Sequence, residues 1–289
     1  MLNYPIKNIL VPVDFSENSW NALCYAAELF KQVRCDFYVL HVADLREMEI
    51  DAARLFSIPK SFQKAEKVDK KVLMTAFLTK ASHHLRNKKH RFFSQIEHGS
   101  LIDSVKKQLS EKNIDLITMG TRGTGTLKNK VIGSNAGAII TRIRCNTLVV
   151  PEMAKFYSLK NITFPTDFNI FYTPRILKSL SEILDLNKSN LGVVHFANGK
   201  GEENFTEDQT NTKAFLLDYL DEVHPGRNSY QVVRNKKMIN AIQDFVKEEK
   251  IDMIAIIARN LNFLQQLFFD SRVERISFHT TVPMFIIHE

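Results

Sequence analysis

Along the chain, short apolar runs rich in β-branched residues alternate with segments whose apolar positions recur every three to four residues. That alternation is the pattern of repeated βαβ units around a parallel sheet. In the first half the runs predict strands near 8–13, 36–42, 92–97, 115–120 and 146–150. Most are continuous rather than alternating, as expected of strands covered by helices on both faces. A first helix follows Asp14 and Ser16, with Ala22, Leu23, Ala26, Ala27 and Phe30 at helical spacing. A further helix is predicted at about 101–112, after His98-Gly99-Ser100, and a long, basic, amphipathic one at about 59–88. The preceding stretch, 44–58, receives no assignment.

The pattern occurs twice. Asn8-Ile9-Leu10-Val11-Pro12-Val13-Asp14-Phe15-Ser16 returns as Asn161-Ile162-Thr163-Phe164-Pro165-Thr166-Asp167-Phe168-Asn169. Val39-Leu40-His41-Val42-Ala43 returns as Val193-Val194-His195-Phe196-Ala197, and Asn113-Ile114-Asp115-Leu116-Ile117 as Lys250-Ile251-Asp252-Met253-Ile254. A repeat of this length is a domain rather than a solenoid unit. The expected division is a first domain over 1–152, a linker over 153–160 within the stretch 151–160, and a second domain over 161–289. In the second, an acidic, Asn- and Gly-containing loop is predicted near 198–212.

Composition narrows the class. The 289 residues are 44% hydrophobic and 25% charged, as in a globular protein. No apolar run approaches the roughly 18–20 residues that span a bilayer, so a membrane is not an expected partner. The N-terminal stretch is closed by Asp14 and reads as a strand rather than a leader. Cys24, Cys35 and Cys145 are odd in number and lack metal-ligand spacing, which fits structural thiols in the cytoplasm. The net charge of +7 belongs to one half: residues 1–152 hold 23 Lys and Arg against 15 Asp and Glu, residues 153–289 hold 16 against 17. Lys64–Lys71 and Arg86–Arg91 account for much of it, as a solvated helix face. Aromatic residues are not interleaved with these runs, so nucleic acid is not an expected partner either.

After the predicted fourth strand the chain reads Met119-Gly120-Thr121-Arg122-Gly123, then nine residues, then Gly133-Ser134-Asn135. Parallel α/β sheets bind ligands beyond the carboxyl ends of their strands. Gly120 and Gly123 let the backbone take unusual dihedrals and approach a ligand closely. Gly133-Ser134 opens a helix whose free N–H groups attract an anion, and Ser134 can donate to a phosphate or cap that helix. Arg122, Lys128 and Lys130 add positive charge.

The spacing Gly-x2-Gly-x9-Gly-(Ser/Thr), met by Gly120, Gly123, Gly133 and Ser134, resembles the signature of ATP-binding universal stress proteins. The resemblance extends to Pro12-Val13-Asp14, His41-Val42 and Asn146-Thr147-Leu148-Val149-Val150-Pro151, and it covers both halves. It implies an α/β fold of two tandem open parallel five-stranded sheets flanked by helices. These would be Rossmann-like, similar to the adenine nucleotide alpha hydrolases, and related by a pseudo-twofold. It implies ATP as the cofactor, with or without Mg2+. The residues themselves show no Gly-x4-Gly-Lys-(Ser/Thr) loop, no acidic metal cluster beyond Asp14 and no positioned base, so no catalytic residue is expected and slow ATP hydrolysis stays open. Pro12, Asp14 and Val42 would lie beside adenine and ribose, Gly120, Arg122 and Gly123 along the ribose-phosphate path, and Gly133, Ser134 and Asn135 on the phosphates. Taken alone, Asp14 is equally well a helix cap, and His41 a packed core residue. The closing strands, 146–150 and 283–287, are candidate edges that the two domains would pair with each other; a homodimer stays open.

In the second half, at a constant offset, Gly120 becomes Ile257, Gly123 becomes Asn260 and Gly133 becomes Asp270, while Ser134 persists as Ser271. Asp270 suits a helix N-terminus but repels phosphate. The second domain is therefore expected not to bind ATP, and Asp167 to be a helix cap. The functional expectation is a nucleotide-binding stress-response regulator. The other reading is a nucleotide-independent scaffold for an unidentified protein partner, built on the insertion at 44–92.

Overall fold

A computed structural model describes residues 6–43, 69–121, 133–197, 205–234, 244–259 and 282–289. The apolar runs of the first unit become β1 (Lys7–Pro12), β2 (Cys35–Ala43), β3 (His90–His98), β4 (Leu116–Gly120) and β5 (Thr147–Val150). Their counterparts are β6 (Asn161–Pro165), β7 (Asn190–Ala197), β8 (Asn228–Arg234), β9 (Met253–Ile257) and β10 (Met284–Ile287). Helix α1 (Glu17–Leu29) starts at the Ser16 cap, whose side chain accepts from Ser19 N–H, and buries Ala22, Leu23, Ala26 and Ala27. Helix α2 (Lys70–His84) is shorter than the predicted 59–88. It buries a narrow stripe of Met74, Phe77 and Ala81, and 59–68 lies outside the described residues. Among the described residues the first unit also holds α3 (Leu101–Lys112) and α4 (Ser134–Arg142), and α5 (Pro174–Asn187) and α6 (Glu207–Val223) belong to the second.

Helix α6 overturns the loop expected near 198–212, of which 198–204 is outside the described residues. Its polar first turn is held by a reciprocal capping box: the Thr206 hydroxyl accepts from Gln209 N–H at 3.2 Å, and the Gln209 carbonyl accepts from Thr206 N–H at 2.9 Å.

Each unit has the order 3-2-1-4-5, all parallel, so β1 and β6 mark the points where the order reverses. The two five-stranded sheets join through the closing strands, the edges expected to pair with each other. β5 and β10 pair antiparallel, with Val149 opposite Met284, Leu148 opposite Phe285 and Thr147 opposite Ile286, giving a ten-stranded sheet β3-β2-β1-β4-β5-β10-β9-β6-β7-β8. The two closing strands, edges in isolation, thereby satisfy each other, and the edges of the sheet are β3 and β8. One apolar cluster runs beneath α1, α2, α5 and α6 across both units, and a second lies on the opposite face under α3 and α4. The stretch 151–160 is tied down. Asn21 Nδ2 donates to the carbonyls of Pro151, Glu152 and Ala154 at 3.1, 3.3 and 2.8 Å, and Phe156 packs edge-on against Tyr25.

Candidate functional site

The strand order reverses at β1, so the carboxyl ends of β1 and β4 lie side by side, with Pro12 at one and Gly120 at the other. Open α/β sheets bind ligands at such a place. Pro12 ends β1 in register with Leu40, and Val13 continues the pairing with its N–H on Leu40 O at 2.7 Å. The chain turns at Phe15, which has φ of 62°. Its ring lies 4.5 Å from that of His41, and His41 Nδ1 donates to Val13 O at 2.9 Å. His41 is thus a core residue that fixes the end of β1. Its counterpart repeats the arrangement, with His195 Nδ1 3.0 Å from Thr166 O and Phe168 at φ of 58°.

Asp14 is not the helix cap. Ser16 is, and the half-buried Asp14 carboxylate accepts from both the N–H and the hydroxyl of Ser16. Asp167 is not a cap either: it accepts from Asn169 N–H at 3.2 Å, and α5 begins later, at Thr173. Val42, two residues past Leu40 on β2, is half-buried on the α3–α4 face.

Gly120, the last residue of β4, has an ordinary φ, so the unusual dihedral expected there is absent. The reason for glycine is packing. A Cβ at this position would stand 2.6 Å from Asn18 Cγ and Nδ2 and 2.8 Å from Oδ1. Asn18, only 5% exposed in the first turn of α1, went unnoticed in the sequence because nothing local distinguishes it from a solvent-facing asparagine.

Beyond Gly120, Thr121 N–H donates to Val150 O at 3.1 Å, and Gly133 N–H donates to Thr121 O at 2.6 Å. The second bond stitches the two ends of the motif together. Arg122, Gly123, Lys128 and Lys130 lie outside the described residues. Gly133 caps α4 in an extended conformation (φ −67°, ψ 158°) with no side-chain hydrogen bond to the first turn, so Ser134 is not the cap. Ser134 and Asn135, the first two helical residues, are exposed. An α4 N-terminus without a side-chain cap, with a serine on its first turn, presents donors and the positive end of the dipole to an anion. Thr121, which the motif treats as a spacer, is the residue that holds this turn against β4.

The thiols take no part. Burial pushes Cys24 up to about 11 and Cys35 and Cys145 to about 12, which keeps all three protonated near neutrality.

The second unit differs at the same place. Ile257, at the Gly120 position, is buried in one cluster with Phe168 and Tyr172. The Tyr172 hydroxyl is 2.7 Å from Thr166 Oγ1, and Gln209 Nε2 donates to Asp167 O at 2.9 Å. Asn260, Asp270 and Ser271 lie outside the described residues.

Compared with known families, residues 5–151 and 159–288 each match the model of the universal stress protein family. The chain belongs to the universal stress protein family. It carries that domain twice, in tandem. A Staphylococcus haemolyticus protein assigned to the universal stress proteins is 28% identical over 155 residues, spanning 52% of this chain and 86% of the relative. Among solved structures, a universal stress protein from Archaeoglobus fulgidus superposes with a TM-score of 0.62 at 16% identity, covering 97% of this chain and 98% of its own. A Pseudomonas aeruginosa protein of unassigned function superposes with a TM-score of 0.58 at 13% identity, covering 97% and 92%. At these identities the structures speak for the universal stress protein fold alone, and the fold is one sheet spanning both domains.

Proposed function

We propose that this tandem universal stress protein binds an adenine nucleotide in its first domain and works as a stress-response regulator in the cytoplasm, by occupancy rather than by turnover. The observation that carries the reading is the N-terminus of α4, where Gly133 is stitched to Thr121 and offers no side-chain cap. It stands at the strand ends where the sheet order reverses. Phosphates would meet the first-turn N–H groups and the exposed Ser134 and Asn135. Base and ribose would lie toward Pro12, Asp14 and Val42, past the end of β4 at Gly120, while Arg122 and Gly123, outside the described residues, stay candidates from the motif alone. The residues fit ATP in that an anion would satisfy donors that the chain leaves without a side-chain cap. A Mg2+ accompanying it needs one or two carboxylates besides phosphate oxygens, and Asp14 is the carboxylate at this end. The second domain is read as binding no nucleotide in this mode, because Ile257, Asn260 and Asp270 replace Gly120, Gly123 and Gly133 of the motif.

Calorimetric titration with ATP tests the reading. One site per chain is expected, weakened at least tenfold by Gly133→Asp, which brings a carboxylate to the phosphate position. Absence of saturable binding by the wild type, or binding indifferent to Gly133→Asp, would overturn it and favour the scaffold.

A further inference from the structure

The seam between the two domains is asymmetric. The offset of 154 that relates His41 to His195 also maps buried Ala22, Leu23, Ala26 and Phe30 of the first domain onto buried Ile176, Leu177, Leu180 and Leu184 of the second. By the same offset Asn21 corresponds to Arg175 and Tyr25 to Ser179. Asn21 and Tyr25 are the residues that seat the interdomain stretch: Asn21 holds three of its carbonyls, Tyr25 packs on Phe156, and Ala154 and Leu159 are buried with them. A chain has only one such stretch, so it fills only one of the two pseudo-equivalent positions. On the other side, beside Arg175 and Ser179, a cavity of about 530 Å³ remains. That volume is in the range of small-molecule sites.

The cavity is lined by both domains and lies at the amino ends of β1 and β4, opposite the nucleotide crevice. Part of its wall is apolar, with Phe30 and Val33 from the first domain and Ile183, Leu186 and Phe285 from the second, and the rest is polar, including Lys178, which pairs with Glu182. Its two carboxylates are engaged: Asp115 accepts from Asn8 N–H at 2.7 Å, and Glu182 pairs with Lys7 at 2.8 Å. Arg144 and Arg175, both exposed, make no ion pair or hydrogen bond among the described residues. The two act on one place. His288, 7% exposed and with Nε2 unpartnered among the described residues, is pushed down to about 4 by burial and then by Arg175 and Arg144.

We propose that this seam cavity binds a fatty carboxylate, its headgroup held between Arg144 and Arg175 and its alkyl chain along Phe30, Val33, Leu186 and Phe285. Apolar walls alone would take any hydrocarbon. The uncompensated guanidiniums select a carboxylate, which they can grip through paired N–H donors. Because both domains line the cavity, occupancy would clamp them together, linking an amphiphile signal to a site separate from the nucleotide's.

Titration of the full chain with sodium dodecanoate below its micellar concentration tests this, with dodecanol and ATP as comparisons. One saturable dodecanoate site per chain is expected, with dodecanol at least tenfold weaker. Arg144→Glu/Arg175→Glu should weaken dodecanoate at least tenfold while leaving the core intact, since both side chains are exposed. Leu186→Trp, which fills the wall, should block it, and far-UV circular dichroism, joined by Trp20 emission for the variants that add no tryptophan, checks that each is folded. Gly133→Asp should bind dodecanoate as the wild type does. The proposal fails if the wild type shows no saturable site, or if dodecanol binds as well as dodecanoate. It also fails if the charge reversal changes nothing, or if ATP displaces dodecanoate in competition.

Discussion

Replacing Gly120 by alanine separates two reasons for a glycine in the motif, nucleotide approach and internal packing. The added Cβ would stand 2.6 Å from two atoms of the Asn18 side chain and 2.8 Å from a third, closer than any stable contact. Asn18 is buried in the first turn of α1, and α1 is anchored by the Ser16 cap, so the side chain cannot swing into solvent without moving the helix start. Overpacking of this kind costs about 1–3 kcal/mol. In chains of roughly this size each kcal/mol lowers the melting temperature by about 2–4 °C. Asn18→Ala deletes all three obstructing atoms, so in the double variant much of the Gly120→Ala loss should return. The two substitutions are then coupled by about 1 kcal/mol or more rather than additive. Thermal and urea unfolding followed by Trp20 fluorescence measure the cycle. A Gly120→Ala chain as stable as the wild type, or strictly additive substitutions, would refute the packing argument. Titrating the rescued double variant with ATP then shows whether Gly120 serves only α1 or also the nucleotide.

Two other outcomes test the architecture and its electrostatics. Trp20 is the single tryptophan and lies in the first domain, whereas Ile286 is fully buried in the second domain's β10. Ile286→Ala should cost about 2–5 kcal/mol and shift the Trp20 transition together with the far-UV signal; a biphasic curve with an unmoved Trp20 midpoint would contradict one cooperative sheet. His288 is lowered from 6.5 to about 4, chiefly by burial, so its neutral form is the folded one. Its contribution to stability is complete above about pH 6.5 and is lost as pH falls toward 4, where the unfolded chain binds a proton the folded chain refuses. His288→Gln should flatten the stability profile in that window, and an unchanged slope would show that other groups govern it.

The places where sequence and structure part company share a cause. The first unit's strands were readable within about two residues because continuous apolar runs fit covered strands, but the edge strands β3 and β8 are partly exposed and carry mixed sequences. Helix α6 was misread as a loop, since Glu207-Asp208-Gln209-Thr210-Asn211 looks like a polar connection. The Thr206…Gln209 capping box was nonetheless the local signal for its start. Asp14 and Asp167 looked like caps from their place after a strand, but the helices begin at Ser16 and Thr173, and cap choice depends on where the chain can turn.

By itself the sequence determined the class of the fold and its duplication. It also determined the family, and the asymmetry of the motif between Gly120 and Ile257. These follow from periodicity and residue identity, which act locally. The pairing of the two closing strands was expected from the sequence. Only the tertiary structure decided its antiparallel register, Val149 opposite Met284, since register depends on residues more than a hundred positions apart. It alone showed that Gly120 makes room for Asn18, that Gly133 is stitched to Thr121, and that one linker fills one side of a two-sided seam. Each of these is a close approach between distant segments, settled by how much space the packed elements leave.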